Sequence, residues 1–212
     1  VYRENTNQPK YTESNINACP AFREYYNNTF GIRSYVDFAL EWNIDRQFNT
    51  LMYDPAFTEN ALLIRDEQSG CLSFRIPKLL MIPDKSVEVE LLHPTMSESD
   101  LAKKTMLVQG MTNPHKHVRE FDIAYHINEP GTRVNIKEKD DMFYVRFRTN
   151  DNIRFVRFNM TEDLSALWPN YSINRNHTKV VKSLRYWYDL GKKNRTAQRM
   201  IRHIQKNDLS AQ

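Results

Sequence analysis

Residues 141–159 read DMFYVRFRTNDNIRFVRFN, and this stretch decides how the chain is interpreted. Two runs rich in aromatic and branched residues, Met142–Thr149 and Ile153–Asn159, flank the tight-turn sequence Asn150-Asp151-Asn152. We therefore expect two antiparallel strands joined at 150–152. Successive side chains of a strand take opposite faces, so Tyr144, Arg146 and Arg148 share one face of the first strand.

A ribbon that carries arginines and rings together suits a single-stranded nucleic acid. Guanidinium groups follow the phosphates, and each ring that stacks on an unpaired base contributes about 1–3 kcal/mol. The candidate contacts in the ribbon are Tyr144, Arg146, Arg148, Arg154, Phe155, Arg157 and Phe158. The alternative is an ordinary hairpin, apolar on one side and solvated by its arginines on the other; the sequence leaves both interpretations open.

Upstream of the ribbon, further strand-like runs alternate with turn chemistry at 66–70 (DEQSG) and 83–85 (PDK). The runs are Ala61–Ile64, Cys71–Ile82, Val87–Leu92, Thr105–Gln109, His117–Ile127 and Thr132–Ile136. About eight strands of this length predict a barrel-like or two-sheet core, with an OB-like arrangement as one option. Within Leu72–Lys78 (LSFRIPK), Arg75 and Lys78 repeat the pairing of cations with rings and join the candidate contacts.

The N-terminal part has a different character. Residues 1–17 are polar without an apolar period, and we expect an extended arm. From Ala21 to about Asp54 the apolar residues lie close to helical spacing, which predicts a helical segment that ends at Asp54-Pro55. The stretch Met96–Lys104 is expected to form a short helix capped by Ser97 or Ser99.

The C-terminal fifty residues return to a helical pattern. We expect a short helix over Thr161–Trp168, a second that begins at Asn176 or Thr178 and ends at Leu190 with Gly191 as its C′ residue, and a third over Arg195–Lys206. In the third, four cations at i, i+4, i+7 and i+11 form one narrow stripe. The candidate contacts on these helices are Lys182, Arg185, Tyr186, Lys192, Lys193, Arg195, Arg199, Arg202 and Lys206.

The charge is unevenly distributed along the 212 residues. The net charge is +4, yet residues 173–212 hold ten Lys and Arg against two Asp, so that the preceding 172 residues are mildly acidic. Such asymmetry indicates a polyanion partner, most simply nucleic acid. The alternative interpretation is that these cations form an ordinary solvent-exposed helix face that binds no polyanion.

Several classes of protein are excluded or disfavoured. The five glycines lie far apart, so neither a phosphate loop nor a dinucleotide fingerprint can form. The two cysteines are too few for a disulfide scaffold and too isolated for a zinc site. We find no signal peptide or membrane span, and we expect a soluble intracellular protein with no cofactor, no metal and no small-molecule substrate.

An enzymatic alternative rests on His115, His117 and Asp122. The two histidines share a strand face, which permits a metal-dependent nuclease or phosphoesterase site. Histidines at this spacing are more often surface residues, and no catalytic constellation rises above background. We therefore expect a protein that is not an enzyme.

The run Ala21–Trp42 (AFREYYNNTFGIRSYVDFALEW), the ribbon at Phe143–Phe158 and the basic C-terminal helices together resemble the baculovirus DNA-binding proteins. The resemblance implies sequence-tolerant binding of single-stranded DNA during viral DNA replication, destabilisation of duplexes, self-association and a location in the host nucleus. A viral structural or nucleocapsid assembly protein is the second interpretation.

Together these observations predict an α+β fold with a β-rich core. The expected organisation is an extended arm at 1–17, a core at 18–160 that includes the N-terminal helical segment, and a basic helical subdomain at 161–212 packed on the core. The expected function is binding of single-stranded nucleic acid, DNA rather than RNA, without strong sequence preference.

Overall fold

A computed structural model describes residues 19–52, 62–76, 81–116, 122–164, 166–167 and 184–209. In chain order the strands are β1 (Thr29–Arg33), β2 (Phe38–Trp42), β3 (Phe48–Met52), β4 (Leu62–Asp66), β5 (Cys71–Arg75), β6 (Val89–Leu92), β7 (Thr105–Leu107), β8 (Gly110–Thr112), β9 (Asp122–Ile127), β10 (Thr132–Ile136) and β11 (Asp141–Phe147). The helices are α1 (Pro20–Tyr25), α2 (Asp100–Lys104), α3 (Leu184–Lys193) and α4 (Thr196–Lys206). Helical turns also occur at 162–164 and 166–167.

The described strands form three antiparallel sheets. Sheet A has the order β1-β11-β6-β8, sheet B the order β10-β2-β3, and sheet C the order β4-β5-β9-β7. Strands dominate, as expected for an α+β protein with a β-rich core. The sheets are open rather than closed into one barrel, so the expectation of a barrel-like core is wrong for the described strands.

The inward faces of the sheets share one apolar core. Its largest fully buried side chains include Leu40 of sheet B, Phe74 and Tyr125 of sheet C, and Phe143 of sheet A. The Tyr125 hydroxyl donates a hydrogen bond to the Met142 carbonyl, which satisfies a polar group at the centre of the core. Burial raises the pKa of Tyr125, so the hydroxyl stays neutral.

Two local predictions are confirmed residue by residue. Strand β10 has the predicted bounds, Thr132–Ile136. Helix α2 lies inside the predicted Met96–Lys104, and the Ser99 hydroxyl accepts a hydrogen bond from the Ala102 backbone N–H at 3.3 Å, which is the expected cap.

The prediction of a long N-terminal helix is wrong. Only Pro20–Tyr25 is helical, and strands β1, β2 and β3 follow. Asn28 and Arg46 have positive φ angles of 51° and 61°, which a continuous helix does not permit. The apolar spacing was misleading because β2 (FALEW) is buried on both faces, so its residues do not alternate between apolar and polar.

The predicted ribbon at 142–159 is half correct. Its first strand is β11, but residues 153–159 form no named strand and make only an isolated bridge between Phe158 and Asp208. The neighbours of β11 are β1 and β6, which pair with it on opposite sides. Both edges of β11 are therefore occupied, so the following segment cannot fold back onto it.

The C-terminal helices pack around a second apolar cluster. Leu164, Ala197 and Met200 are buried in it, with Phe158 packed against them. Backbone hydrogen bonds join residues 157–159 to 207–209, among them Leu209 N–H to the Arg157 carbonyl at 2.7 Å.

The two described C-terminal helices differ from their predicted bounds in one respect. Helix α3 continues through Gly191 to Lys193, so the prediction that Gly191 ends it is wrong; the Asn194 N–H still donates to the Leu190 carbonyl at 2.9 Å. Arg195 then makes the turn into α4 with a left-handed backbone, φ 51°. Helix α4 agrees with the predicted Arg195–Lys206 to within one residue.

The predicted arm at 1–17 and the predicted start of α3 at Asn176 or Thr178 lie outside the described residues. Within the described ranges, no helix has the length and apolarity that crossing a membrane requires.

Candidate nucleic-acid interface

On the outer face of sheet A, Arg146 of β11 and Arg148, which directly follows this strand, are bound to one carboxylate. Antiparallel register places Arg146 opposite Glu90 of β6. The Arg146 Nε donates to Glu90 Oε2 at 2.7 Å, and the Arg148 Nε donates to Glu90 Oε1 at 2.6 Å. Each guanidinium adds a second bond from Nη2 to the same oxygen. One carboxylate thus accepts two forked donors, a geometry that favours strong charge-assisted hydrogen bonds.

This arrangement fixes the charge state of Glu90. Partial burial opposes ionisation, but the hydrogen bonds from Arg146 and Arg148 outweigh it and hold the pKa of Glu90 below its usual range. The Arg146 side chain is only 13% exposed. The Tyr25 ring covers it, with the guanidinium carbon 4.1 Å from the ring centroid. Arg146 is therefore enclosed between a ring and a carboxylate, whereas Arg148 remains about half exposed.

The rings predicted to stack on bases lie mostly inside the protein. Tyr144 is 8% exposed, and burial together with the nearby Asp141 raises its pKa to about 12. Phe155 packs edge-on against Phe30 and Phe147, with ring centroids 4.8 and 6.1 Å away. Stacking on a base needs an open ring face, whereas Tyr144 is buried and Phe155 is half-buried in contact with two other rings.

Residues 153–159, which follow β11, connect the C-terminal helices to sheet A. Arg154 forms an ion pair with Asp208 at 3.0 Å. Arg157 is exposed, and its carbonyl receives the Leu209 N–H. Phe158 is half-buried against the second apolar cluster. Three predicted contacts of the ribbon thus lie where the helices join the sheets.

The remaining predicted contacts outside the described helices are scattered. Arg75 is half-buried at the end of β5, where the strand register places it opposite Asp122. Its Nε is buried and has no hydrogen-bond partner among the described residues. Lys78 and Lys182 lie outside the described residues.

The basic face of α3 and α4 is the largest group of exposed cations that the sequence predicted. All its members are exposed. None forms an ion pair within the described part of the chain, in contrast to the arginines of β11. We call this set the basic helix face; it consists of Arg185, Lys192, Lys193, Arg195, Arg199, Arg202 and Lys206.

The amphipathic sequence of α4 explains why its cations point outward. Ala197 and Met200 are buried in the second apolar cluster, and Ile204 packs against it. Arg199, Arg202 and Lys206 share the opposite stripe because they repeat at three- and four-residue intervals. No acidic residue lies in the first turn, and Arg195 provides no side-chain cap, so nothing within the helix neutralises its positive N-terminal end.

One ring accompanies these cations. Tyr186 of α3 is 44% exposed and follows Arg185 directly in the chain. Among the predicted aromatic contacts that the structure describes, Tyr186 is the most exposed residue.

The residues of the metal hypothesis have other roles or lie outside the described ranges. The His115 Nδ1 lies 3.1 Å from the Pro83 carbonyl, and Asp122 forms an ion pair with Arg65. His117 is outside the described residues. Among the residues that the structure describes, no three His, Cys, Asp or Glu side chains are grouped to hold a metal ion.

The sequence analysis did not identify the residues that contact the arginines of the predicted ribbon. Glu90 and Tyr25 enclose Arg146, and Asp208 forms an ion pair with the exposed Arg154; none of these three residues was predicted to contact the ribbon. The alternation in Val87–Glu90 (VEVE) was the available signal, since it puts two carboxylates on one face of a strand that must pair with something. Asp208 is near Arg154 only in the folded chain.

Comparison of the sequence with family models and curated proteins, and of the fold with solved structures, gave no match.

Proposed function

We propose that this chain binds single-stranded nucleic acid, DNA in preference to RNA, through the basic helix face. The proposed role is that of a viral replication protein that binds with little sequence preference. Binding unpaired strands more tightly than duplex would shift the equilibrium toward the unpaired state without an input of chemical energy.

The observation that carries this proposal is the contrast between two sets of cations. Arg146 and Arg148 share the carboxylate of Glu90, and Arg154 is paired with Asp208. The seven cations of the basic helix face have no carboxylate partner among the described residues. Exposed cations that have no carboxylate partner attract phosphates, and binding releases the counterions condensed on the nucleic acid.

The shape of the stripe supports a single strand. The four cations of the stripe are Arg195, Arg199, Arg202 and Lys206, and the first and last are eleven positions apart, which corresponds to about 17 Å along a helix. Their steps of three or four residues equal about 4.5–6 Å, so the four cations form one line rather than two. A line of this kind matches one phosphate backbone. Tyr186 supplies an exposed ring on the preceding helix for stacking on an unpaired base.

The test is fluorescence anisotropy with labelled oligo-dT, its duplex with oligo-dA, and oligo-U, each in 0.05 and 0.2 M salt. We expect tighter binding of oligo-dT than of duplex, and weaker binding of all ligands at the higher salt. The double variant Arg199→Gln/Arg202→Gln should bind oligo-dT about 25-fold more weakly at 0.1 M salt, since each lost phosphate contact costs about 0.7 logarithmic units there.

The matched control is Lys137→Gln/Lys139→Gln, which removes two exposed positive charges near the end of β10. It should keep the affinity within about twofold. No binding of oligo-dT at low salt would overturn the proposal. Equal losses in both double variants would show that only net charge matters and would remove the basic helix face as the site.

A further inference from the structure

The outer face of sheet A carries a half-exposed ring that was not among the predicted contacts. Tyr25, the last residue of α1, is 50% exposed, more than Tyr186 at 44%. A single exposed ring is common on protein surfaces, so its exposure alone indicates no ligand. What distinguishes Tyr25 is the set of side chains that surround it.

Three contacts hold Tyr25 in place. The Arg146 guanidinium carbon lies 4.1 Å from the ring centroid, and the Arg146 Nη1 donates to the Tyr25 carbonyl at 2.9 Å. The Tyr26 ring meets the Tyr25 ring at a centroid distance of 5.1 Å and an angle of 73°. Tyr26 is itself fixed, because its hydroxyl is hydrogen-bonded to the Thr95 hydroxyl at 3.0 Å. A ligand that stacks on a ring held in this way loses little side-chain entropy on binding.

The charged groups next to the ring leave one accessible positive charge. Arg146 and Arg148 share the carboxylate of Glu90, so two positive charges meet one negative charge. The Arg146 and Glu90 side chains are each 13% exposed, whereas the Arg148 side chain is 54% exposed. Because Arg146 contacts the ring and both guanidinium groups bind the same carboxylate, Tyr25 and Arg148 lie on one surface. This surface therefore combines an exposed ring with an exposed cation.

We infer that Tyr25 and Arg148 form a second contact for a single-stranded nucleic acid, in which Tyr25 stacks on an unpaired base and Arg148 binds a neighbouring phosphate. This inference rests on the proposed function and adds to the basic helix face a place that binds a base. Every base has a flat face, so stacking requires no particular sequence.

The Tyr25 contact also accounts for a preference that cations alone do not explain. Phosphates are present on single strands and on duplexes, and exposed cations attract both. The base faces of a duplex are covered by the neighbouring base pairs, so a ring can stack only on a strand that is unpaired. Tyr25 is therefore the residue that favours a single strand over a duplex on this surface.

The test compares Tyr25→Leu with the wild type by fluorescence anisotropy, using labelled oligo-dT and a labelled strand of equal length in which abasic residues replace the thymidines. Leucine keeps an apolar side chain beside Arg146 but offers no aromatic face. We expect Tyr25→Leu to bind oligo-dT at least about fivefold more weakly, the lower limit for the loss of one stacked base. Its affinity for the abasic strand and its salt slope should be unchanged, because no charge is removed.

Two further variants serve as controls. Tyr35→Leu replaces a tyrosine that is 47% exposed in the segment between β1 and β2, and it should bind oligo-dT like the wild type. Tyr25→Phe keeps the ring and should bind oligo-dT within about twofold of the wild type. Circular dichroism of Tyr25→Leu should match that of the wild type, since α1 contains no buried residue.

The outcomes separate this inference from the proposed function. Wild-type affinity for oligo-dT in Tyr25→Leu, with weak binding by Arg199→Gln/Arg202→Gln, would overturn this inference alone. Equal losses of Tyr25→Leu on oligo-dT and on the abasic strand, or a loss in Tyr25→Phe as large as in Tyr25→Leu, would overturn stacking by Tyr25. A wild type that does not bind oligo-dT at low salt would overturn the proposed function and this inference together.

Discussion

At the scale of single residues, Glu90 is the shared hydrogen-bond partner of Arg146 and Arg148. Its two oxygens bind the guanidinium groups of Arg146 and Arg148, and the Glu90 and Arg146 side chains are each 13% exposed. Replacing Glu90 by Gln leaves Arg146 enclosed without a counterion. We expect Glu90→Gln to lower the free energy of unfolding at pH 7 by about 2 kcal/mol, measured by urea denaturation. Glu88→Gln, an exposed neighbour in the chain, is the control and should cost less than 0.5 kcal/mol.

The same prediction has a pH dependence whose sign follows from the pKa of Glu90. Because that pKa is lower in the folded state than the usual value of about 4.3, the stabilisation is present above about pH 4.3 and disappears as the pH falls through the folded value. The difference between wild type and Glu90→Gln should therefore shrink between pH 5 and pH 3. A difference that is constant over this range would contradict the assignment of Glu90 as the charged partner.

Gly70 is a second residue at which the fold permits little change. Its φ is +69°, and a Cβ there would lie 2.8 Å from two ring carbons of Trp42. The Trp42 ring cannot yield easily, since it is buried and its Nε1 donates to the Glu67 carbonyl at 2.9 Å. We expect Gly70→Ala to destabilise the protein by about 3 kcal/mol, the sum of a left-handed backbone penalty and overpacking. Gly110→Ala, which meets open space, should change the unfolding free energy by less than 0.5 kcal/mol in the same urea titration.

At the scale of elements, Arg195 at the junction between α3 and α4 has a strained backbone that lowers stability and a positive charge that belongs to the proposed binding stripe. Arg195 has a left-handed backbone that costs a residue with a Cβ about 1 kcal/mol, and it is also the first cation of the stripe. Arg195→Gly should raise the unfolding free energy by up to about 1 kcal/mol and weaken oligo-dT binding about fivefold at 0.1 M salt. Arg195→Lys should leave both nearly unchanged. A loss of stability in Arg195→Gly would contradict the strain argument, and unchanged affinity would remove Arg195 from the site.

Elements were predictable from sequence where local interactions form them. The alternation in Thr132–Ile136 specifies a half-buried strand, and Ser99 caps α2 with its own hydroxyl. The β1–β3 region was misassigned because Phe38–Trp42 is buried on both faces, so that its pattern is determined by the sheets packed around it. The prediction of a strand at 153–159 was wrong for a similar reason: β1 and β6 occupy both edges of β11, so a further strand cannot pair with it.

The candidate site was predictable to a similar extent. The stripe on α4 depends only on spacing within one helix, and the structure places it as predicted, exposed opposite Met200. The ribbon contacts depended on which carboxylates and rings meet the arginines in the folded chain. Glu90 is 56 residues from Arg146 in sequence, and Asp208 is 54 from Arg154. No local pattern of β11 or the following segment indicates partners at such separations.

At the scale of the whole molecule, the sheets and the C-terminal helices differ in how many of their described cations form ion pairs. Several cations of the sheets and of α2 form ion pairs, among them Arg65 with Asp122 and Lys104 with Asp100. The seven cations of the basic helix face make no such pair among the described residues. The mild net charge of +4 therefore conceals a separation of charge, and the salt dependence of binding measures that separation directly.

We expect the logarithm of the oligo-dT association constant to fall linearly with the logarithm of salt concentration. Each neutralised phosphate of a single strand contributes about −0.7 to the slope, so the four cations of the stripe give about −3 and all seven cations about −5. Anisotropy titrations at five salt concentrations provide the slope. Arg199→Gln/Arg202→Gln should reduce its magnitude by about 1.4, whereas Lys137→Gln/Lys139→Gln should leave it unchanged. A slope near zero would mean that phosphates are not the groups bound, and an equal reduction in both variants would place the contacts outside the helices.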